Sequence, residues 1–186
     1  MPIAIVSDFL WLTADRLSTP LDPLQRDWLF EAGSLTRRLT ELADGAFSVE
    51  PLLQGWQTLR DDECTALDLP SGSTGWVREV YLRGHGQPWV FARSVASRTA
   101  LEHSDLDLEH QGSRSLGHLL FSDKAFARSP FEICHYPPAW LPPAVNQPQL
   151  WARRSCFQRG GLGVLVAEIF LPEHWRAAGQ QADQAR

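Results

Sequence analysis

The sequence is short of lysine. Among its 186 residues there is one, Lys124, against sixteen arginines, and the net charge is −5. With no run of basic residues, the chain has little with which to neutralise phosphates, which argues against nucleic-acid binding. Cysteine is scarce too. Cys64, Cys134 and Cys156 are odd in number and form no C-x-x-C pair, so neither a disulfide framework nor a zinc site is indicated. No stretch approaches the roughly 18 apolar residues of a membrane-spanning helix. Met1 to Arg16 carries Asp8 and Asp15 and no basic leader before an apolar run, unlike a secretory signal. These absences lead to the expectation of a cytoplasmic protein without membrane insertion.

What is present suits one globular domain. The length falls within the roughly 100–200 residues of a typical domain, and a chain of this size buries about 70% of its extended surface. The content is 44% hydrophobic and 21% charged, with eight tryptophans. Each tryptophan brings a large apolar area and an N–H that needs a partner, so a well-filled interior is expected. The excess of arginine matters because its planar fork recognises carboxylates in a bidentate manner.

Helices come first. Asp22-Pro23 reads as an N-cap followed by proline at the first helical position. Leu24, Trp28 and Leu29 share a face, Gly33 interrupts, Ser34 can cap again, and Leu35, Leu39 and Leu42 continue the helical spacing. Two helices, or one broken helix, are expected from 23 to 44. Strand patterns follow at 47–57, with Pro51 marking an edge or bend, and at 76–82 and 89–96, which flank the turn Arg83-Gly84-His85-Gly86-Gln87. Residues 61–73 read as a loop, 99–109 as a solvated loop or helix, 115–121 as a short helix and 131–135 as a strand. The segment 137–148 holds five prolines and reads as an irregular loop. A final hairpin joins 151–157 to 164–171, Pro172 ends it, and 176–186 is expected to fray. No internal repeat is present. This order suggests an α+β fold around an antiparallel sheet.

Charges stand where a core should be. Side chains alternate across a strand, so Trp76, Arg78, Val80 and Leu82 share one face, and Trp89, Phe91, Arg93 and Val95 share another. If His85-Gly86 is a two-residue turn, residues whose numbers sum to 171 pair, and Arg78 faces Arg93. Like charges directly opposite repel, unless an anion lies between them. Glu168 sits inside the apolar run Val-Leu-Val-Ala-Glu-Ile-Phe-Leu, where a carboxylate needs a partner or its pKa rises. Three arrangements satisfy these charges, one being strands rotated so that the arginines reach solvent. Arg78, Arg93 and Glu168 can form structural ion pairs, or they can line a site for a small, flat, anionic ligand.

Other candidates read as structure. His85, His103, His110 and His118 lack metal-ligand spacing. Cys134 and His135 are adjacent, so their side chains diverge on a strand. Gly160-Gly161-Leu162-Gly163 lies between two strand patterns and lacks the helix that follows a phosphate loop. Asp105, Asp107 and Glu109 lack a calcium-loop pattern.

Six segments in order, GSLTRRL (33–39), WVREVYL (76–82), GQPWVFARSV (86–95), SLGHLLF (115–121), WARRS (151–155) and AEIFLP (167–172), resemble the chorismate pyruvate-lyase family of ubiquinone biosynthesis over roughly residues 22–175. The resemblance implies one domain over 1–186, with about 1–20 and 176–186 peripheral. It implies a six-stranded antiparallel sheet with helices on one side and helical flaps over a buried ligand site. It also implies a lyase that takes chorismate to 4-hydroxybenzoate and pyruvate with no metal or cofactor, acting as a monomer. By the same resemblance, Arg78 binds the ligand carboxylate and Glu168 contacts the ring hydroxyl, the two being the catalytic residues. Leu116 and Leu35 lie against the ligand, and Arg93 receives the pyruvyl carboxylate. The chain departs from the family pattern at Ser115, where proline is frequent, at Ala92, where glycine is common, and in a longer loop from Cys134 to Leu150. A non-catalytic sensor of aromatic carboxylates is the alternative, since the ligand-binding module of one family of bacterial transcription regulators shares this fold. Such sensors usually carry an N-terminal DNA-binding domain, for which about twenty residues before the first helix leave no room.

Overall fold

The computed structural model describes residues 11–102, 116, 120, 123 and 126–186. One antiparallel sheet organises them. Its strands are β1 (Leu12–Thr13), β2 (Phe47–Thr58), β3 (Thr74–Gly84), β4 (Gln87–Ser97), β5 (Ala127–Arg128), β6 (Glu132–His135), β7 (Trp151–Arg159) and β8 (Leu162–Phe170). Their spatial order is β1-β6-β7-β8-β4-β3-β2, with β5 also pairing β7. The helices are α1 (Pro23–Leu29), α2 (Leu35–Leu42), α3 (Asp61–Ala66), α4 (Arg98–Glu102) and α5 (Pro172–Gln184). The α+β class is as expected, but the sheet has eight strands rather than six. The two additional strands, β1 and β5, are two residues each, too short to carry a periodic signal.

Helix starts follow local chemistry. Asp22 and Gln25 form a reciprocal capping box at α1, with Pro23 in the first turn. Ser34 Oγ accepts from the Arg37 backbone N–H at the start of α2. Two segments differ from the sequence reading. The polar stretch after Leu59 opens with helix α3, whose buried Glu63 and Cys64 face the sheet. Residues 176–184 continue α5 instead of fraying, because Ala178 packs into the core beside Phe170.

Both faces of the sheet are covered, not one. On the first face, α1, α2 and α5 bury Trp28, Leu29, Leu39 and Ala178 against Val80, Leu82, Val90 and Phe170. Farther along that face Trp76, Leu116, Leu120, Phe157, Val164 and Val166 cluster. On the second face, α3 and the proline-rich loop cover Val77, Phe91, Val95, Leu165 and Ile169. Each fully buried Leu, Ile or Phe contributes roughly 1.5–3 kcal/mol, so two such layers make a stable platform.

The β3–β4 hairpin decides the geometry of the site. His85 and Gly86 both adopt positive φ, 50° and 75°, as a two-residue turn matched to strand twist requires. Arg83 pairs Pro88 as the turn predicts, but the register then slips by one and Leu82 pairs Val90. Trp89 is the extra residue of this bulge, and its ring lies over Gly84, where an added Cβ would come within 2.3 Å of it. Beyond the bulge Arg78 pairs Ser94, and Arg93 pairs Glu79. The expected pairing of Arg78 with Arg93 is therefore corrected: the two arginines point to opposite faces.

Candidate active site

The helix-covered face holds a small, partly enclosed cavity. Arg78 of β3 and Glu168 of β8 project into it from the sheet, beside Val80, Leu82, Ala92, Ser94 and Val166. Gly33 to Thr36, at the start of α2, close one side, and Leu116, Phe157 and Arg128 the rest. The N-terminal turn of α2 thus borders the cavity, where the helix dipole favours an anion. Four of the five residues singled out from the sequence, Leu35, Arg78, Leu116 and Glu168, meet here. Of the expected helix 115–121, Leu116 and Leu120 are helical and buried. The remainder, including Ser115 and His118, lies outside the described residues, as do His103, His110 and the acidic positions 105, 107 and 109.

Arg78 is 2% exposed. Its Nη1 donates to Gln54 Oε1 at 3.2 Å, and burial lowers its pKa. Glu168 is held by Arg153 of the neighbouring strand β7, whose Nε donates to Glu168 Oε2 at 2.6 Å. The pair sits at directly paired positions, and Arg153 is fully buried. Its Nη1 also donates to the carbonyls of Trp28 and Glu31, at 3.1 and 3.0 Å. One guanidinium therefore orients the carboxylate and ties down the chain leading into α2. Arg153 was legible in W-A-R-R-S-C-F as a charge on each face of an apolar strand. Arg128 sits in a stretch without periodicity and gave no such signal.

Arg93 does not reach the cavity. It lies on the second face, where Nε and Nη2 donate to Glu63 Oε1 and Oε2 at 2.5 and 3.0 Å, and Nη1 to Glu79 Oε1 at 2.8 Å. Burial opposes the Arg93 charge, but these carboxylates outweigh it and its pKa is raised. The Trp89 bulge turns it toward α3, so it does not join the other four residues at this cavity, and its donors are engaged by Glu63 and Glu79. Burial likewise opposes the Glu63 charge, and Arg93 and Arg60 outweigh it to leave that carboxyl below its ordinary range. Two further sequence readings fit the structure. Gly160 occupies the β7–β8 turn at positive φ, and Cys134 is a buried thiol whose pKa burial raises.

The chain matches the chorismate lyase family over residues 5–180. It belongs to that family. Among its relatives, a probable chorismate pyruvate-lyase of Pseudomonas aeruginosa is 67% identical over 173 residues, covering 93% of this chain and 97% of the relative. Another, from Pseudomonas putida, is 63% identical over 171 residues, covering 92% of each. Among solved structures, the effector domain of PhnF from Mycobacterium smegmatis superposes with a TM-score of 0.54 at 14% identity, covering 76% of this chain and 90% of that one. The effector-binding domain of the Bacillus subtilis trehalose repressor gives 0.51 at 11% identity, covering 68% and 91%. This chain and these effector domains thus share a fold. No helix among the described residues is long and apolar enough to cross a membrane.

Proposed function

We propose that this chain is a chorismate pyruvate-lyase, releasing pyruvate from chorismate to leave 4-hydroxybenzoate. The observation that carries the reading is the convergence of Arg78 and Glu168 on one covered cavity with both polar and apolar walls. From Arg78 the sheet crosses two strand spacings to β8, and Glu168 lies two residues along it. At about 4.8 Å per strand and 3.4 Å per residue, the two Cα atoms stand roughly 12 Å apart. Side chains reaching inward from both ends leave room for a ring with a carboxylate at one end and a hydroxyl at the para position.

Arg78 anchors the ring carboxylate, and Glu168, fixed by Arg153, accepts from the 4-hydroxyl. The C3–O ether bond breaks with its electron pair leaving on the enolpyruvyl oxygen, and the C4 hydrogen is lost as a proton while the methylene of the departing enolpyruvate gains one to become the methyl of pyruvate. The ring becomes aromatic, so the reaction runs downhill. The protein contributes a reactive pose and charges placed before bond cleavage begins. Leu35 and Leu116 act as covers over the ring. Product leaves only when the covering segments move, so release limits turnover.

The binding-only alternative is not favoured, because relatives more than 60% identical over about nine-tenths of the chain are named as lyases. The test is to mix chelator-treated protein with chorismate and follow both products by chromatography. Equal appearance of 4-hydroxybenzoate and pyruvate supports the lyase. Binding of 4-hydroxybenzoate without turnover supports a sensor.

A further inference from the structure

We infer that Arg128 is the second anion anchor of this cavity and the residue that makes it favour a dianion over a monoanion. The inference rests on the lyase reading above and adds to it a residue that the sequence did not single out. A substrate with two carboxylates calls for two cations, and Arg93 is committed to the other face of the sheet. Arg128 is a further arginine on the cavity wall.

Arg128 is half-buried, and its surroundings are unlike those of three buried arginines. Arg93 has Glu63 and Glu79, Arg153 has Glu168, and Arg154 has Glu132 and Asp62. Among the described residues Arg128 has no carboxylate within 4 Å; its acceptors are neutral. Nε donates to Ser155 Oγ at 2.9 Å, and Nη1 to the Ala32 carbonyl at a long 3.4 Å. Its guanidinium lies 4.2 Å from the ring centre of Phe131 and 4.9 Å from that of Phe157. The rings and the serine fix the direction of the fork, which lowers the entropy cost of engaging an anion. Burial drives its pKa down to about 10, with Glu168 acting in the opposite sense. A cation so desolvated and so lightly compensated is stabilised by a ligand carboxylate.

Order across the sheet supplies the second argument. Arg128 pairs Phe157 of β7, Glu168 lies on the adjacent β8, and Arg78 lies two strands farther on, in β3. Arg78, Glu168 and Arg128 therefore follow one another across the sheet. In chorismate the ring carboxylate, the 4-hydroxyl and the enolpyruvyl carboxylate follow in the same order, because the ether at C3 neighbours C4 and reaches beyond it. With the ring carboxylate on Arg78 and the hydroxyl on Glu168, the remaining carboxylate arrives at Arg128. The product 4-hydroxybenzoate lacks that carboxylate and makes no use of this arginine.

The experiment compares two ligands on the same variants: KM for chorismate, the dianion, and Kd for 4-hydroxybenzoate, the monoanion. A charged hydrogen bond of ordinary strength is worth roughly one to two decades in affinity. Arg128→Met is expected to raise KM for chorismate about 10- to 100-fold and to change the Kd of 4-hydroxybenzoate by less than about twofold. Arg128→Lys, which keeps the charge but not the fork, is expected to fall between. Equal weakening of both ligands, or an unchanged KM, overturns the inference. If Arg128→Met does not fold, the same two constants are read from Arg128→Lys, and a loss confined to chorismate is still required. Arg78→Ala serves as the control and should weaken both ligands. A wild-type protein that releases no pyruvate from chorismate defeats the lyase reading itself, an outcome distinct from failure at Arg128.

Discussion

Replacing Arg93 with methionine separates a structural charge from a substrate-binding one. The Arg93 side chain is 7% exposed and its partner Glu63 2%, with contacts of 2.5 Å to Glu63 and 2.8 Å to Glu79. Breaking a buried pair by removing one partner costs about 3–5 kcal/mol. Glu63 retains Arg60 Nη2 at 3.0 Å and the Arg60 backbone N–H at 3.0 Å, which places the loss at the lower end, about 3 kcal/mol. For a domain of this size each kcal/mol is worth roughly 2–4 °C, so the melting temperature should fall by about 6–12 °C. The pH dependence has a definite sign. The Glu63 carboxyl is held below its ordinary 4.5 in the folded state, so its contribution is present above that value and lost as pH falls through the folded pKa. Without Arg93 the burial cost is less opposed, and acid unfolding should begin at higher pH. Kinetics should barely change, because Arg93 faces away from the cavity. Urea melts followed by circular dichroism, with KM for chorismate measured on the same preparation, decide it. A tenfold rise in KM with unchanged stability would refute the placement of Arg93 on the second face.

Three further outcomes are expected. Glu168→Gln should lower turnover roughly 10- to 100-fold by loss of the charged acceptor for the 4-hydroxyl, while folding is retained because the amide oxygen still accepts from Arg153; near-full turnover would remove Glu168 from the chemistry. Arg78→Ala should raise KM roughly 10- to 100-fold by loss of a charged hydrogen bond, and unchanged affinity for 4-hydroxybenzoate in calorimetry would end its anchoring role. His174 is fully buried among Trp28, Phe170 and Trp175, and burial, reinforced by Arg38 and Arg153, pushes its imidazole down to about 3. The unfolded chain takes up this proton near pH 6.5, so stability falls as pH drops from 6.5 toward 3. His174→Leu should shrink the loss between pH 7 and pH 5 by about 2 kcal/mol, and an unaltered slope in urea melts at the two pH values would show that the ring is charged or hydrated.

The sequence was informative where a side chain breaks a period. Arg78 and Glu168 stood out because each interrupts an apolar strand face, and the structure brings both to one cavity. Capping chemistry at Asp22 and Ser34 located α1 and α2. What stayed hidden depended on contacts made at a distance. Helix α3 looks like a polar loop because its burial comes from ion pairs with Arg93 rather than from an apolar stripe. Arg128 lies in a two-residue strand, too short for alternation to speak. The facing of Arg93 turned on one residue, since a bulge leaves no mark in a hydrophobic pattern that both faces of a covered sheet satisfy equally well.

That bulge also bears on how the gene can change. Loss of the single codon for Trp89 would remove the bulge and leave Leu82 opposite Val90, so residues 90 to 97 would keep their faces, whereas a regular ladder that kept Trp89 would exchange every one of them. In that regular ladder Arg93 would swing into the cavity, Ala92 and Ser94 would meet α3, and Glu63 would be stranded without its main counter-charge. Substitutions around the pocket can accumulate one at a time. What descendants of this protein must keep in that hairpin is the pairing of Leu82 with Val90, and with it the facing of Arg93, rather than any fixed number of residues in the turn.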